Sequence, residues 1–437
     1  MKETELAARG LILAAGEASR MGRVKALLPL PLAGEAGREG GAASPLALLA
    51  ATFRQAGVAD VTVVTGRHAA SVEPAARTLG LAVARNPAPE QGMFSSVQTG
   101  LRALLAAGGA GPVLVIPVDV PLVRPLTLRA LLTAAAQSPE AVHLPTFAGK
   151  EGHPPCIPAA ALPALAAYAG PDGLRGALAA LPCRRVPVPD AAMLEDMDTP
   201  QDYARLRALA PLRAALSPEE TWELLRLRAV PEKGLRHARA VGQVACALAE
   251  ALLAARRAAP TAGAALRPDL ALAGGLAHDI AKGQARHEAA GAALLESLDL
   301  PDLAALVRDH RDLSLPDAQP VTERELVYLA DKYCWGGQFV PVAQRFGQKL
   351  EAFAGDAAAC AAIRGRLGRA QALEARLARE LGRAPAAIAQ ETLARLGKAM
   401  PGCGGAAGPA TEGSGRAEAS AQAFGAARDK TAGENRA

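Results

Sequence analysis

Aromatic residues are scarce in this chain, at 3% of its 437 residues, although half of the residues are hydrophobic. Much of the hydrophobic content is alanine, so we expect cores packed from leucine, alanine and valine and a largely helical structure. The length exceeds the size at which a single hydrophobic core stops growing. The chain is therefore expected to form two domains.

Several functional classes lack their usual signatures. The net charge of +5 is small, and the arginines form no stripe with aromatics between them, so nucleic-acid binding is not expected. The first ten residues lack the apolar core of a signal peptide, and later apolar stretches are interrupted, so we expect a cytoplasmic protein with no membrane partner. The six cysteines form no C-x-x-C pair, and we interpret them as reduced, mostly structural thiols.

The first part of the chain alternates short apolar runs with helical stretches rich in alanine and leucine. The runs are Leu11–Ala15, Val61–Thr65, Leu81–Ala84, Val113–Val118 and Ala141–Leu144. This alternation predicts a three-layer α/β domain with a mainly parallel sheet over residues 1–210. The stretch 31–44 is rich in glycine and alanine and is expected to be a mobile surface loop, either a lid or an insertion without a role.

The second part of the chain has a different pattern. Ser217-Pro218-Glu219-Glu220 has the form of a helix start, and beyond it leucine and alanine recur at spacings of three and four residues with no strand-like run. An all-α domain is therefore predicted over residues 217–398. The tail 401–437 has Phe424 as its only large apolar residue and is expected to be disordered.

A glycine-containing loop from Leu13 to Lys25 follows the first apolar run. Gly16 and Gly22 allow close approach of the backbone to a ligand, and Arg20 and Lys25 add positive charge, which suits a nucleoside triphosphate. The P-loop pattern of NTPases requires Gly-Lys-Ser/Thr, which this loop lacks. The alternative is a solvated turn with two surface cations.

Two acidic positions are candidates for holding a magnesium ion. Asp119 ends the buried run Val113–Val118, and ligands of open α/β sheets bind beyond the carboxyl ends of strands. Asp198 lies in an acidic cluster before a predicted helix. Either residue could instead cap a helix: Asp119 the helix near Pro125, and Asp198 the helix that follows it.

With these residues, the first domain resembles the MobA-like nucleotidyltransferases, especially the branch that transfers cytidylyl groups to the molybdenum cofactor. The motifs that carry the resemblance are Leu13–Lys25, Asp119, the segment Asn86 to Ser96, Gly152-His153-Pro154 and Asp196–Tyr203. It implies a Rossmann-like fold of the nucleotide-diphospho-sugar transferase type. The nucleotide-binding residues that it implies are Leu13, Ala14, Ala15, Gly16, Arg20, Gly22, Lys25, Asn86, Gly92, Ser95 and Ser96.

The resemblance also implies the chemistry. Arg20 and Lys25 would face the phosphates, and Asp119 and Asp198 would hold Mg²⁺, while a phosphate oxygen of the acceptor displaces pyrophosphate. Guanylyl-transferring relatives tend to have two glycines where this chain has Ala15-Gly16, so CTP is favoured over GTP. His153 could line the acceptor pocket or could be packed there for structural reasons.

Four of the seven histidines lie in the second domain. The residues His237, His278-Asp279 and Asp331 occur in the order typical of the HD phosphohydrolase superfamily, which this domain resembles. His287 and His310 stand where two-metal members have further ligands, and Mn²⁺, Fe²⁺, Zn²⁺ or Mg²⁺ would suit such a set. A metal-bound water would attack a phosphoester, and Lys282, one helical turn beyond His278, could act in catalysis by neutralising the phosphate.

The favoured hypothesis is a bifunctional enzyme that forms molybdopterin cytosine dinucleotide and also hydrolyses a phosphoester. Its partners would be CTP, or another NTP, and a phosphorylated small molecule that we expect to be molybdopterin. An alternative acceptor is a sugar phosphate or another small phosphorylated alcohol. A third hypothesis is a maturation chaperone that delivers the cofactor to a molybdoenzyme and uses the second domain for docking or sensing.

Overall fold

A computed structural model describes residues 7–16, 22–32, 41–258, 266–313, 316 and 319–398. The chain divides into two compact units, one running to Arg213 and the next beginning at Ala214. The predictions for Arg20, for residues 33–40 of the 31–44 loop, for Cys403 and for the tail 401–437 lie outside the described residues.

The first unit is built on a mixed sheet. Its strands are β1 (Arg9–Ala14), β4 (Asp60–Thr65), β5 (Ala82–Arg85), β6 (Val113–Pro117), β7 (Val142–Phe147), β8 (Lys150–Glu151), β9 (Cys156–Ile157) and β10 (Cys183–Pro187); β2 (Leu30–Pro31) and β3 (Ala42–Ala43) form a separate pair. The strand order in the sheet is β10-β7-β9-β6-β1-β4-β5. The pairs β1–β4, β1–β6, β4–β5 and β7–β10 are parallel, whereas β9 is antiparallel to β6 and β7. The predicted α/β fold is confirmed.

Helices cover both faces of this sheet. They are α1 (Pro45–Gln55), α2 (Ala69–Thr78), α3 (Met93–Ala106), α4 (Pro125–Gln137), α5 (Leu162–Ala167), α6 (Gly173–Ala179) and α7 (Pro200–Leu209). On one face Leu11 and Leu13 pack with Leu101 of α3. On the other, Gly10 lies so close to Phe53 of α1 that an added Cβ would meet its ring at 2.8 Å. Alternate residues of β1 thus serve opposite layers.

The second unit is helical. Its helices are α8 (Pro218–Leu227), α9 (Glu232–Ala258), α10 (Pro268–Ala277), α11 (His287–Ser297), α12 (Pro301–Arg308), α13 (Glu323–Tyr333), α14 (Val342–Ala352), α15 (Ala357–Leu381) and α16 (Pro385–Lys398). Ser217 and Glu220 form the capping box that starts α8. The sequence did not predict one small feature, a hairpin of β11 (Cys334–Trp335) and β12 (Gln338–Phe339).

Helix α9 is long and apolar enough to span a membrane by length and composition alone, which is weak evidence for such a role. One face of it, with Val241, Val244, Leu248 and Leu252, lies in the hydrophobic core of the second unit. The spacing of three and four residues is that of an amphipathic helix packed against a protein core. This core also receives residues from α10, α13, α15 and α16.

Candidate active sites

A cavity of about 250 Å³ in the first unit lies beyond the ends of the parallel strands β1, β4 and β6. Strand ends of this kind are the usual place for ligands in open α/β sheets. The predicted residues that line it are Leu13, Ala14, Ala15, Gly16, Lys25, Gly92, Ser96 and Asp119. Gly22 is exposed and is not among the lining residues; its positive φ of 63° shapes the backbone before Lys25.

Lys25 brings the two predicted magnesium ligands together. Its Nζ lies 3.3 Å from Oδ2 of Asp119 and 2.7 Å from Oδ1 of Asp198, although these carboxylates come from distant parts of the chain. Partial burial and the neighbouring charges of Asp198 and Asp119 raise the pKa of a third carboxyl group, Asp196. This end of the cavity is therefore rich in negative charge, and a cation already lies between two of its carboxylates.

Neither Asp119 nor Asp198 has the alternative role of a helix cap: Asp119 does not cap α4, and Asp198 does not cap α7. The start of α4 is held by Asp190, whose Oδ2 accepts hydrogen bonds from the backbone N–H of Arg124 at 2.8 Å and from the hydroxyl of Thr127 at 2.7 Å. The start of α7 is capped by Thr199, in a capping box with Asp202. Asp119 lines the cavity, whereas Asp198 does not line it and reaches it only through its contact with Lys25.

The segment from Asn86 to Ser96 forms another wall of the cavity. The buried amide of Asn86 donates to Oγ of Ser95 at 2.8 Å and to Oγ of Ser96 at 3.0 Å, and its Oδ1 accepts from Ala88 N–H. Gly92 precedes α3 with a φ of 93°, which favours glycine. Ser96 lines the cavity, whereas Asn86 and Ser95 lie behind it.

Sequence reasoning did not identify His68, which also lines the cavity, and it included Met93, another lining residue, only as part of the motif from Asn86 to Ser96. Met93 begins α3 and is 61% exposed. Ala15 is almost buried, and a Cβ added at Gly66 would come within 2.9 Å of its methyl group. The position of His68 after β4 could have indicated it, since other cavity residues follow strand ends.

His153 lies close enough to the acidic end of the cavity for Asp119 to act on it. Burial lowers the pKa of His153, against the opposing effect of Asp119, so the neutral imidazole is favoured. Its buried Nδ1 has no hydrogen-bond partner among the described residues. The residue is not among those that line the cavity.

The second unit brings all six predicted metal ligands together in two groups. One consists of His237, His278 and Asp331, and the other of Asp279, His287 and His310; within each group the ligand atoms lie within 4.8 Å of one another. Asp279 links the groups, because its Oδ2 lies 3.4 Å from His278 Nε2 and its Oδ1 lies 3.3 Å from His287 Nε2.

The donor set fits divalent metal ions. Nδ1 of His278 lies 2.7 Å from the Gly275 carbonyl, and Nδ1 of His310 lies 2.6 Å from the Val307 carbonyl, so each Nε2 is left for a ligand role. Nε2 of His278 is buried and has no hydrogen-bond partner in the described part of the chain. Burial also lowers the pKa of His278, which favours the neutral imidazole that binds metals.

Basic residues surround the carboxylates of this site. Burial alone would raise the pKa of Asp331, but Lys332 and Arg345 hold it well below its ordinary value. Lys282 forms an ion pair with Oδ2 of Asp279. It lies in the turns between α10 and α11 and not on a helix, so the expected helical spacing from His278 is absent. It nevertheless lines a cavity beside the ligand groups.

Two family models match the chain. Residues 10–186 match the MobA-like NTP transferase domain. Residues 234–336 match the HD domain. The first matched segment contains the lining of the 250 Å³ cavity, with Lys25 and Asp119. The second contains all six residues of the two metal-ligand groups. Asp198 lies just beyond the first match.

Three similar solved structures each cover slightly less than half of this chain. Rv0371c from Mycobacterium tuberculosis H37Rv is 26% identical, with a TM-score of 0.38, over 47% of this chain and 100% of its own. 2-C-methyl-D-erythritol 4-phosphate cytidylyltransferase from Thermus thermophilus is 24% identical, with a TM-score of 0.33, over 46% and 98%. Molybdopterin-guanine dinucleotide biosynthesis protein A from Archaeoglobus fulgidus is 16% identical, with a TM-score of 0.33, over 46% and 97%. The chain thus combines a MobA-like NTP transferase domain with an HD domain, and it is a nucleotidyltransferase.

Proposed function

We propose that the first domain transfers CMP from CTP to the phosphate of molybdopterin and releases pyrophosphate. The observation that carries this proposal is the convergence of Asp119 and Asp198 on Lys25 at the mouth of a cavity beyond the strand ends. Paired carboxylates beside a phosphate-binding loop suit Mg²⁺. We also propose a cytoplasmic location, supported by the five described cysteines, which form no disulfide.

The residues would act mainly by alignment and charge. An oxygen of the acceptor phosphate forms a bond to the α-phosphorus, the bond to the bridging oxygen breaks, and pyrophosphate leaves with the electron pair. The ammonium group of Lys25 would neutralise phosphate charge, and the Gly16 and Gly92 segments would allow close approach of the nucleotide. Mg²⁺ held by Asp119 and Asp198 would supply further neutralisation of the phosphates.

CTP is favoured by the alanine at position 15. Its methyl group packs against Gly66, so the 13–16 segment and the chain after β4 are in close contact beside the cavity. This packing supports a restricted space for the base, which suits the smaller pyrimidine. The acceptor is less constrained by the residues present, and a sugar phosphate is the second candidate.

A screen of pyrophosphate release tests base, acceptor and reaction together. The full chain is incubated with Mg²⁺, each of the four NTPs, and either molybdopterin or a set of sugar phosphates. Release is expected with CTP and molybdopterin, and Lys25→Ala should lower its rate by about 100-fold or more. Lys150→Ala, which changes an exposed lysine of β8 in the same domain, should stay within about twofold of wild type.

The outcomes separate the hypotheses. No release with CTP and molybdopterin would overturn the proposal, and release with a sugar phosphate would replace the acceptor. Cofactor delivery to a molybdoenzyme that survives Lys25→Ala, together with no release in any combination, would favour a chaperone.

We further propose that the HD domain is a metal-dependent phosphohydrolase. The two ligand groups joined by Asp279 support it, since such a pair can hold two divalent ions and activate a water molecule. The test is metal analysis of the purified protein plus hydrolysis of bis(p-nitrophenyl) phosphate with Mn²⁺. Asp279→Ala should lose both bound metal and hydrolysis, whereas Asp269→Ala, on the exposed start of α10, should keep both. Equal hydrolysis in the two variants would contradict the proposal.

A further inference from the structure

A cavity of about 470 Å³ lies beside the two metal-ligand groups of the HD domain. It extends beyond residues 234–336, which match the HD model, onto helices α14 and α15. Basic side chains contribute much of its lining: Lys282, Arg311, Lys332, Arg345, Lys349 and Arg366. Asp279 and Asp331 are the carboxylates of that lining. The cavity therefore carries a surplus of positive charge.

Most of the cations nearest the metal ligands have partners. Lys282 pairs with Asp279, and Lys332 and Arg345 both contact Asp331. These three cations balance the carboxylates of the ligand groups. They hold the ligands in place and add little free positive charge of their own.

Lys349 and Arg366 differ from these cations. Among the described residues, no carboxylate oxygen lies within 4.0 Å of either side chain. Burial, together with the like charges of Arg345 and Lys332, lowers the pKa of Lys349 to about 8. Like charges gathered without counterions destabilise a fold, and an anion bound among them relieves that cost. The unbalanced charge thus lies on α14 and α15.

The same end of the cavity has an apolar surface. Phe346 is buried under the Lys349 ammonium, which lies 5.6 Å from its ring centroid. Phe353, which also lines the cavity, is 52% exposed, and Ile363 lies on α15 beside Arg366. A flat ring could pack against this apolar surface while an attached anionic chain contacts the basic side chains that line the same cavity.

We propose that this cavity binds a chain of two or more phosphates, with Lys349 and Arg366, on helices beyond the matched HD segment, as binding residues. The apolar end favours a nucleoside di- or triphosphate as the carrier of the chain, and free pyrophosphate has the same phosphate chemistry. As a substrate class, this rests on the phosphohydrolase function proposed above. In that reaction a water oxygen bonds to one phosphorus, the bridging P–O bond breaks, the leaving phosphate takes the electron pair, and a proton passes to solvent.

Binding can be measured without turnover. Both tryptophans, Trp222 and Trp335, belong to this domain, and the Arg345 guanidinium lies 5.5 Å from the Trp335 ring. Tryptophan fluorescence of the full chain is therefore titrated with AMP, ADP, ATP and pyrophosphate in the presence of EDTA. Affinity should rise from AMP to ATP. Lys349→Gln and Arg366→Gln should each weaken ADP binding by about tenfold, as for the loss of one charged hydrogen bond.

Arg364→Gln is the matched control, because Arg364 is an exposed arginine of the same helix that does not line the cavity. It should leave ADP affinity within about twofold. Thermal unfolding of Lys349→Gln in the absence of ligand shows whether the variant is folded, and relief of like-charge repulsion should leave its Tm unchanged or higher.

The probes distinguish the two sources of the phosphate chain. ADP that binds more tightly than pyrophosphate identifies a nucleoside carrier, and equal affinities identify the free diphosphate. AMP binding as tightly as ATP, or ADP affinity unchanged in both glutamine variants, would overturn the proposal. Oligophosphate binding without any hydrolysis would support this cavity while removing the phosphohydrolase function. Hydrolysis of bis(p-nitrophenyl) phosphate without oligophosphate binding would overturn the proposal for this cavity and leave the phosphohydrolase function supported.

Discussion

Asn86 does not line the 250 Å³ cavity of the first domain, but it holds residues that do. Its side chain is 4% exposed and joins Ser95, Ser96 and the Ala88 N–H, while its backbone N–H donates to the Thr65 carbonyl at the end of β4. It therefore ties the segment after β5 to the first turn of α3. We interpret it as a positioning residue for Ser96 and Gly92, which do line the cavity.

Replacing Asn86 with alanine should affect nucleotide binding more than turnover. Loss of its hydrogen bonds should lower the free energy of unfolding by about 1–3 kcal/mol and loosen the 86–96 segment. We expect the KM for the nucleotide to rise about tenfold, because the cavity wall must then be ordered on binding. Steady-state pyrophosphate release and urea unfolding measure the two effects.

Gln98→Ala provides the control for this variant. Gln98 also has an amide side chain but lies on α3, and it donates to the Ala166 and Tyr168 carbonyls outside the cavity. Its loss should cost stability without changing KM. If Asn86→Ala and Gln98→Ala raise KM equally, or neither does, Asn86 has only a structural role.

Helix α4 begins at a buried charged contact. Asp190 is fully buried, and besides the Arg124 N–H and the Thr127 hydroxyl it contacts the Arg124 guanidinium at 2.9 Å. A carboxylate at a helix N-terminus satisfies free N–H groups and interacts favourably with the helix dipole. The loop after β6, which carries Asp119, leads directly into this helix start, so the contact also anchors one side of the cavity.

Asp190→Ala should destabilise the first domain strongly. Removing one partner from a buried charged pair costs about 3–5 kcal/mol, since the guanidinium loses the carboxylate opposite it. In urea unfolding of the full chain, the transition of the first domain should move to a lower urea concentration than in wild type. Asp190→Asn, which can still accept from Thr127, should cost less. Equal free energies of unfolding for Asp190→Ala and wild type would contradict the proposed role of Asp190 in stabilising the start of α4.

Five strands of the first domain, β1, β4, β5, β6 and β7, were predictable because buried parallel strands are continuous apolar runs, whereas β2, β3, β8, β9 and β10 were not predicted. Val113–Val118 was predicted and Val113–Pro117 is observed, a difference within ordinary boundary variation. The hairpin Cys334–Trp335 with Gln338–Phe339 was not predicted, since strands of two residues show no periodicity.

The site residues differ in the same way. Lys25, Asp119 and the histidine set belong to motifs that are visible along the chain. Asp190, Lys349 and Arg366 acquire their roles through contacts between segments distant in sequence, and no local pattern indicates them. The residue types alone also could not show that Asn86 lies behind the wall and not in it.

At the scale of the whole molecule, the two candidate sites lie in separate compact units. Lys25, Asp119 and Asp198 all precede Arg213, where the first unit ends, and all six predicted metal ligands of the HD domain follow it. The described residues of each candidate site thus belong to a single unit. We therefore expect the two reactions to be separable by mutation.

Asp279→Ala should abolish metal-dependent hydrolysis and leave pyrophosphate release within about twofold of wild type. Lys25→Ala should have the reverse effect. Both rates are measured on the same preparations of the full chain, with metal content as an independent check of the Asp279 variant. A fall in pyrophosphate release that parallels the loss of hydrolysis in Asp279→Ala would show that the two sites are energetically coupled.

The position of Lys25 between two carboxylates should couple the binding of metal and nucleotide at the first site. The ammonium group acts as an internal counterion for Asp119 and Asp198, so an Mg²⁺ ion binding by itself at the proposed site would compete with Lys25 for the same carboxylate oxygens. A triphosphate that binds together with the ion would give Lys25 another anionic partner, and both carboxylates would then be free to bind the ion. Metal and nucleotide should therefore bind with positive thermodynamic linkage, each weakly alone and more tightly together.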